Sequence, residues 1–121
     1  MSLGRRGRLD IVERQEKLAE NEALFRGANE KLERYATANL NDALGRVVPF
    51  LCECDRLDCT EVILVTLAEY EQVREDSRRS ILAKGHSNGE IENVVEESDR
   101  YVVTEKFGVA ARVYDELDPR A

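Results

Sequence analysis

Cys52, Cys54 and Cys59 are the only cysteines of the chain, and all three fall in the segment Phe50-Leu51-Cys52-Glu53-Cys54-Asp55-Arg56-Leu57-Asp58-Cys59. The only histidine, His86, follows in Lys84-Gly85-His86. Thiolates and an imidazole are the ligands that tetrahedral zinc takes, and four of them close its coordination sphere. Cys52 and Cys54 are two apart on an expected strand. Their side chains therefore share a face, with Cα atoms roughly 6.5–7 Å apart, and both sulfurs can converge on one ion. Cys59 returns after a turn, and Gly85 leaves the His86 ring free to swing inward. The expectation is a structural Cys3His zinc site at Cys52, Cys54, Cys59 and His86, with Asp55, Asp58 or Glu61 as alternatives for the fourth ligand.

Three other readings compete with it. Cysteines also serve as small buried hydrophobes. A pair of them could form a redox or metal sensor, although neighbouring Glu53, Asp55 and Asp58 should raise rather than lower the thiol pKa values. An open coordination position would instead admit a small metal-dependent enzyme. The chain lacks the nucleophile elbow, the phosphate-binding loop, the dinucleotide glycine motif and H-E-x-x-H. A single histidine offers little acid–base capacity near neutral pH. Glu90, Glu92, Glu96 and Glu97 read as the solvated face of a helix, and Tyr70, Tyr101 and Tyr114 as core. The expectation is therefore no enzyme.

The elements that must position this cluster read as α+β. From Leu9 to Leu44 there is no proline and one glycine, Gly27, so a long helix is expected. Ile11, Leu18, Phe25 and Leu32 recur every seven residues, joined by Ala28 and Tyr35, while companion positions Arg14 and Asn21 are polar. That half-formed seam predicts an interaction stripe, with a homodimer or another protein as partner. Beyond Gly45, alternation predicts a strand over 47–54 and a returning strand over 61–65. A capping box at Thr66–Glu69 predicts a helix with Leu67, Tyr70 and Val73 inward. A third strand is expected over 80–83. Ser87-Asn88-Gly89-Glu90 reads as a second cap opening a helix with Ile91, Val94 and Val95. Tyr101–Thr104 reads as a fourth strand, and Ala110, Val113, Tyr114 and Leu117 as a closing helix. The outline is a basic disordered tail at 1–8, a helix at 9–45, and at 46–121 a small domain around one mainly antiparallel four-stranded sheet.

Composition bounds the remaining possibilities. In 121 residues 36% are charged and none is tryptophan, so the core is small and a metal or a partner would add stability. Residues 1–45 are balanced in charge, so 46–121 carry the whole net charge of −7, which disfavours nucleic acid as a partner. No apolar run reaches the roughly 20 residues that cross a bilayer, and the basic start leads into no apolar signal region. The expected location is cytoplasmic, where clustered thiols stay reduced and available to a metal.

From Phe25 onward the chain resembles a group of small bacterial proteins to which no activity is attached. The resemblance rests on Leu24-Phe25-Arg26 with Asn29-Glu30, on Phe50-Leu51-Cys52-Glu53-Cys54 with Cys59, and on Leu67-Ala68-Glu69-Tyr70-Glu71. Gly85-His86, Tyr101-Val102-Val103 with Glu105-Lys106, and Leu117-Asp118-Pro119-Arg120 complete it. It implies that the cysteines and His86 belong to one recurrent pattern. The function expected from all of this is a zinc-stabilised protein-interaction or regulatory module.

Overall fold

A computed structural model describes residues 3–120, with side chains from Asp10 onward. It is α+β: helix α1 (Leu3–Asn39), a single 3-10 turn (Ala43–Gly45), strands β1 (Val47–Leu51) and β2 (Val62–Thr66), and helix α2 (Leu67–Arg74). Strands β3 (Arg79–Leu82), β4 (Glu92–Glu97) and β5 (Val102–Lys106) and helix α3 (Gly108–Glu116) follow. Helix α1 starts at Leu3, so the expected disordered tail is helical from that residue on, and residues 1–2 lie outside the described part.

The strands form two small antiparallel sheets rather than one sheet of four, β1 with β2 and β3-β5-β4. The split occurs at the cysteines. Cys52 N–H still donates to Glu61 O across the first hairpin, but Glu53 N–H turns away and donates to Ile81 O on β3. The ligand-bearing segment thus bridges the two sheets. Beneath it lies the main core of Phe50, Ile63, Val65, Leu67, Tyr70, Ile81, Leu82 and Val103, with the Phe50 and Tyr70 rings stacked at 4.1 Å.

The Thr66 capping box forms as expected, Glu69 N–H donating to Thr66 Oγ1 at 3.1 Å and Thr66 N–H to Glu69 Oε1 at 2.8 Å. The second expected cap does not form, and its helix is β4. Asn88, not Ser87, organises this turn: Asn88 Oδ1 accepts Glu90 N–H, and Asn88 O accepts from Ile91 and Glu92. These bonds turn the chain into an edge strand, bulged between Val94 and Glu96, on which Val94 and Val95 stay exposed. The 3–4 spacing of Ile91, Val94 and Val95 therefore marks no buried helical face.

Helix α1 packs on α3 and β1 through a seam one position away from the expected stripe. Ala19, Glu22, Arg26, Asn29, Glu30 and Ala36 are buried, whereas Ile11 and Tyr35 are exposed and Leu18, Phe25, Ala28 and Leu32 half-buried. Most of this seam is polar, and each polar member meets a different element. Glu22 reaches Lys106 on β5 at 2.7 Å. Arg26 donates to Ser77 O and Tyr114 O and lies 3.7 Å from the centre of the Tyr114 ring. Glu30 pairs with Arg74 on α2 at 2.5 Å and with Arg120 at 2.9 Å. Sliding α1 by one turn would break all of these pairs at once and leave buried charges without partners, so the seam fixes the helix in register.

Candidate metal centre

Cys52, Cys54, Cys59 and His86 come together as expected, their ligand atoms all within 4.8 Å of one another. His86 Nδ1 lies 3.6 Å from Cys52 Sγ and 3.7 Å from Cys59 Sγ. A tetrahedral ion with bonds of about 2.3 Å to sulfur and about 2.1 Å to nitrogen sets a sulfur–nitrogen edge of about 3.6 Å. The imidazole nitrogen lies at about that length from both sulfurs, a spacing compatible with one ion held among them. The expected carboxylate alternatives, Asp55, Asp58 and Glu61, are not part of the cluster.

Local structure explains the arrangement. Cys52 and Cys54 flank Glu53 where the chain passes between the sheets, so both sulfurs face one way and the Glu53 carboxyl the other. Cys59 is set by the turn that Cys59 N–H closes on Arg56 O. His86 is set by a turn of the same size, in which His86 N–H donates to Ala83 O and Gly85 takes φ +82°, a left-handed value that glycine adopts without strain. Ala83 N–H donates to Cys52 Sγ at 3.2 Å, a bond that favours a thiolate there.

Cys52 and Cys54 are buried, and Cys59 and His86 half-buried. Burial pushes the Cys52 thiol far up, against the Ala83 amide, and the Cys54 thiol up to about 11. Burial and the neighbouring sulfurs cause this rise, rather than Glu53, Asp55 and Asp58 as the sequence suggested. Three thiolates can share so small a space when a cation balances them.

The segment that carries the ligands is held from behind. Glu53 is fully buried and accepts from Asn29 Nδ2 at 2.8 Å, Tyr70 OH at 2.9 Å and Ile81 N–H at 3.1 Å. Burial raises its carboxyl above the usual range, and those three donors oppose the rise. Asn29 also donates to Leu51 O and accepts from Leu51 N–H, both at 2.8 Å. Asn21 Nδ2 donates to Asp55 O at 3.1 Å, and Asn88 Nδ2 to Asp55 Oδ2 at 2.8 Å.

A second buried cluster escaped sequence reasoning. Lys106 Nζ is fully enclosed, donating to Glu92 Oε1 at 2.7 Å, Ser80 Oγ at 3.2 Å and Thr104 Oγ1 at 3.3 Å, with Glu22 Oε1 also 2.7 Å away. Tyr114 and Ser80 share a hydrogen bond beside it. Glu92, expected on a solvated helix face, is 2% exposed and holds the interior instead. Tyr70 and Tyr114 are core, as expected, and Tyr101 is half-buried.

Fold and site together define a small α+β module with a Cys3His cluster able to hold a metal ion. Comparison with family models, with curated proteins and with solved structures finds no match for the chain. Among the described residues no helix is long and apolar enough to cross a membrane.

Proposed function

We propose that this protein is a non-enzymatic module stapled by structural zinc, which presents the outward face of α1 to a protein partner. The observation that carries the zinc reading is the pair of distances from His86 Nδ1 to two sulfurs, matched to a tetrahedral edge. Four protein ligands leave no open position for a substrate, which supports a structural role over a catalytic one. The gathering of all three sulfurs with His86 around one point, rather than the pairing of two, supports metal binding over a thiol-based sensor.

The contact surface is the exposed face of α1 that borders Leu51 of β1 and the Leu117–Pro119 segment after α3. Leu24, Tyr35 and Leu117 are 63%, 67% and 50% exposed there and rim a shallow groove floored by Ala23, Gly27 and Ala28. The occupant that fits is a second copy. Nothing lies within 4 Å of the point where a Cβ on Gly27 would sit, so a second helix can approach closely at this position. Glu20 precedes Gly27 while Lys31 and Arg34 follow it. An antiparallel two-fold crossing at Gly27 therefore sets Glu20 of each copy towards Lys31 and Arg34 of the other.

Light scattering is expected to report a dimer for the wild type and a folded monomer for the Leu24→Glu, Tyr35→Glu double variant. Both side chains are exposed, so neither change disturbs the core. A wild-type mass of one chain at high micromolar concentration would contradict the dimer.

A further inference from the structure

We infer that Asn29 is a positioning residue for the metal centre, and that through it metal binding and the docking of α1 stabilise each other. This rests on the reading of the Cys3His cluster as a metal site. Asn29 is fully buried, and its amide treats Leu51 as a neighbouring strand would, donating to the carbonyl and accepting from the N–H. Leu51 immediately precedes Cys52. The same Nδ2 also reaches Glu53, between the two cysteines. At the other end of the segment Asn21 holds Asp55 O, one residue past Cys54.

The two asparagines are two turns apart on one face of α1. Their separation is about 12 Å along the axis, and the extended chain from Leu51 to Asp55 covers about 13 Å. The Cys52–Cys54 segment therefore lies along α1, tied at both ends, with its sulfurs on the side away from the helix. Residues that orient ligands in this way contribute to metal affinity although they touch no metal. Linkage is reciprocal, so a metal that fixes the segment must also favour the docked helix.

Cobalt(II) titration followed by its visible absorption, with Asn29→Ala and Thr66→Ala compared with wild type, tests the coupling. Thr66→Ala is the control, because it weakens the α2 cap without touching the ligand segment. Asn29→Ala is expected to lower cobalt affinity about 10–100-fold and Thr66→Ala to leave it within about twofold. Hydrogen exchange on the wild type is expected to slow in residues 18–36 when metal is added. Equal losses of affinity in both variants, wild-type affinity in Asn29→Ala, or α1 exchange indifferent to metal would each overturn the coupling. Should Asn29→Ala fail to fold, the exchange measurement decides. No cobalt binding by the wild type would instead overturn the metal reading itself.

Discussion

Serine at Cys52, Cys54 or Cys59 is expected to lower the melting temperature by on the order of 10–20 °C, and alanine at His86 by clearly less. The size follows from linkage: metal held at about a thousand times its dissociation constant stabilises the folded chain by about 4 kcal/mol, and each kcal/mol moves the melting point of a domain this size by several degrees. The ranking follows from position. Cys52 and Cys54 are buried, and Cys52 Sγ also accepts the Ala83 amide, so a hydroxyl there loses the metal and leaves a poorly matched interior. His86 stands half-exposed on its glycine turn, where water can take over the vacated position. Melting curves with and without a chelator measure both effects, and the chelator should bring wild type down to the level of the cysteine variants. Equal tolerance of all four substitutions would show that they serve no common ion.

The second large effect concerns Lys106. Glu92 is the better anion of its two carboxyl neighbours, accepting from Lys106 Nζ, Thr104 Oγ1 and Asn88 N–H. Burial works against the Glu92 charge, yet Lys106, the neighbouring Glu22 carboxyl and the Asn88 amide hold its carboxyl below the usual range. Burial also opposes the Lys106 charge, but the surrounding acidic groups outweigh it and keep the amine protonated. Glu22 faces both Lys106 and Glu92; burial raises its carboxyl well above the usual range, Lys106 opposes the rise and the Glu92 charge adds to it, so of the two carboxyls Glu22 is the one that favours its protonated form. Glu22→Gln is therefore expected to change stability by less than about 1 kcal/mol. Glu92→Gln alone should cost a moderate amount, because Glu22 can ionise in its place. The double change leaves a buried lysine with no anion and should cost about 3–5 kcal/mol, more than the sum of the singles.

The pH dependence has a definite sign. A carboxyl whose folded pKa is raised binds more protons in the folded state, so its contribution to stability falls as pH rises from about 4 towards the folded value. Glu22→Gln should remove that slope. Denaturant unfolding of the four proteins across this range checks both points, and additive costs in the double variant would contradict a shared charge.

The Cys3His cluster was legible because cysteine and histidine are scarce in this chain and because residues two apart in an extended segment share a face, although strand β1 ends at Leu51, short of the expected 47–54. Gly85 beside His86 likewise pointed to a turn, which the structure forms. The docking of α1 was hidden for a physical reason. Its seam is built from Glu22, Arg26, Asn29 and Glu30, side chains that hydrophobic periodicity assigns to solvent. They are buried only because partners distant in sequence, Lys106, Tyr114, Leu51 with Glu53, and Arg74, satisfy them one by one. The apolar residues Ile11, Phe25 and Leu32 consequently marked a stripe one position off the true contact. β4 misled for the converse reason, since Ile91, Val94 and Val95 suit a helix while the bonds of Asn88 impose a turn.

Metal content of the untagged protein, purified without added metal and compared with its concentration by amino-acid analysis, tests the central claim most directly. The expected result is about one zinc per chain, retained on dialysis and lost with a cooperative drop in melting temperature when a strong chelator is added. Metal-free protein that melts at the same temperature with and without added zinc would contradict it.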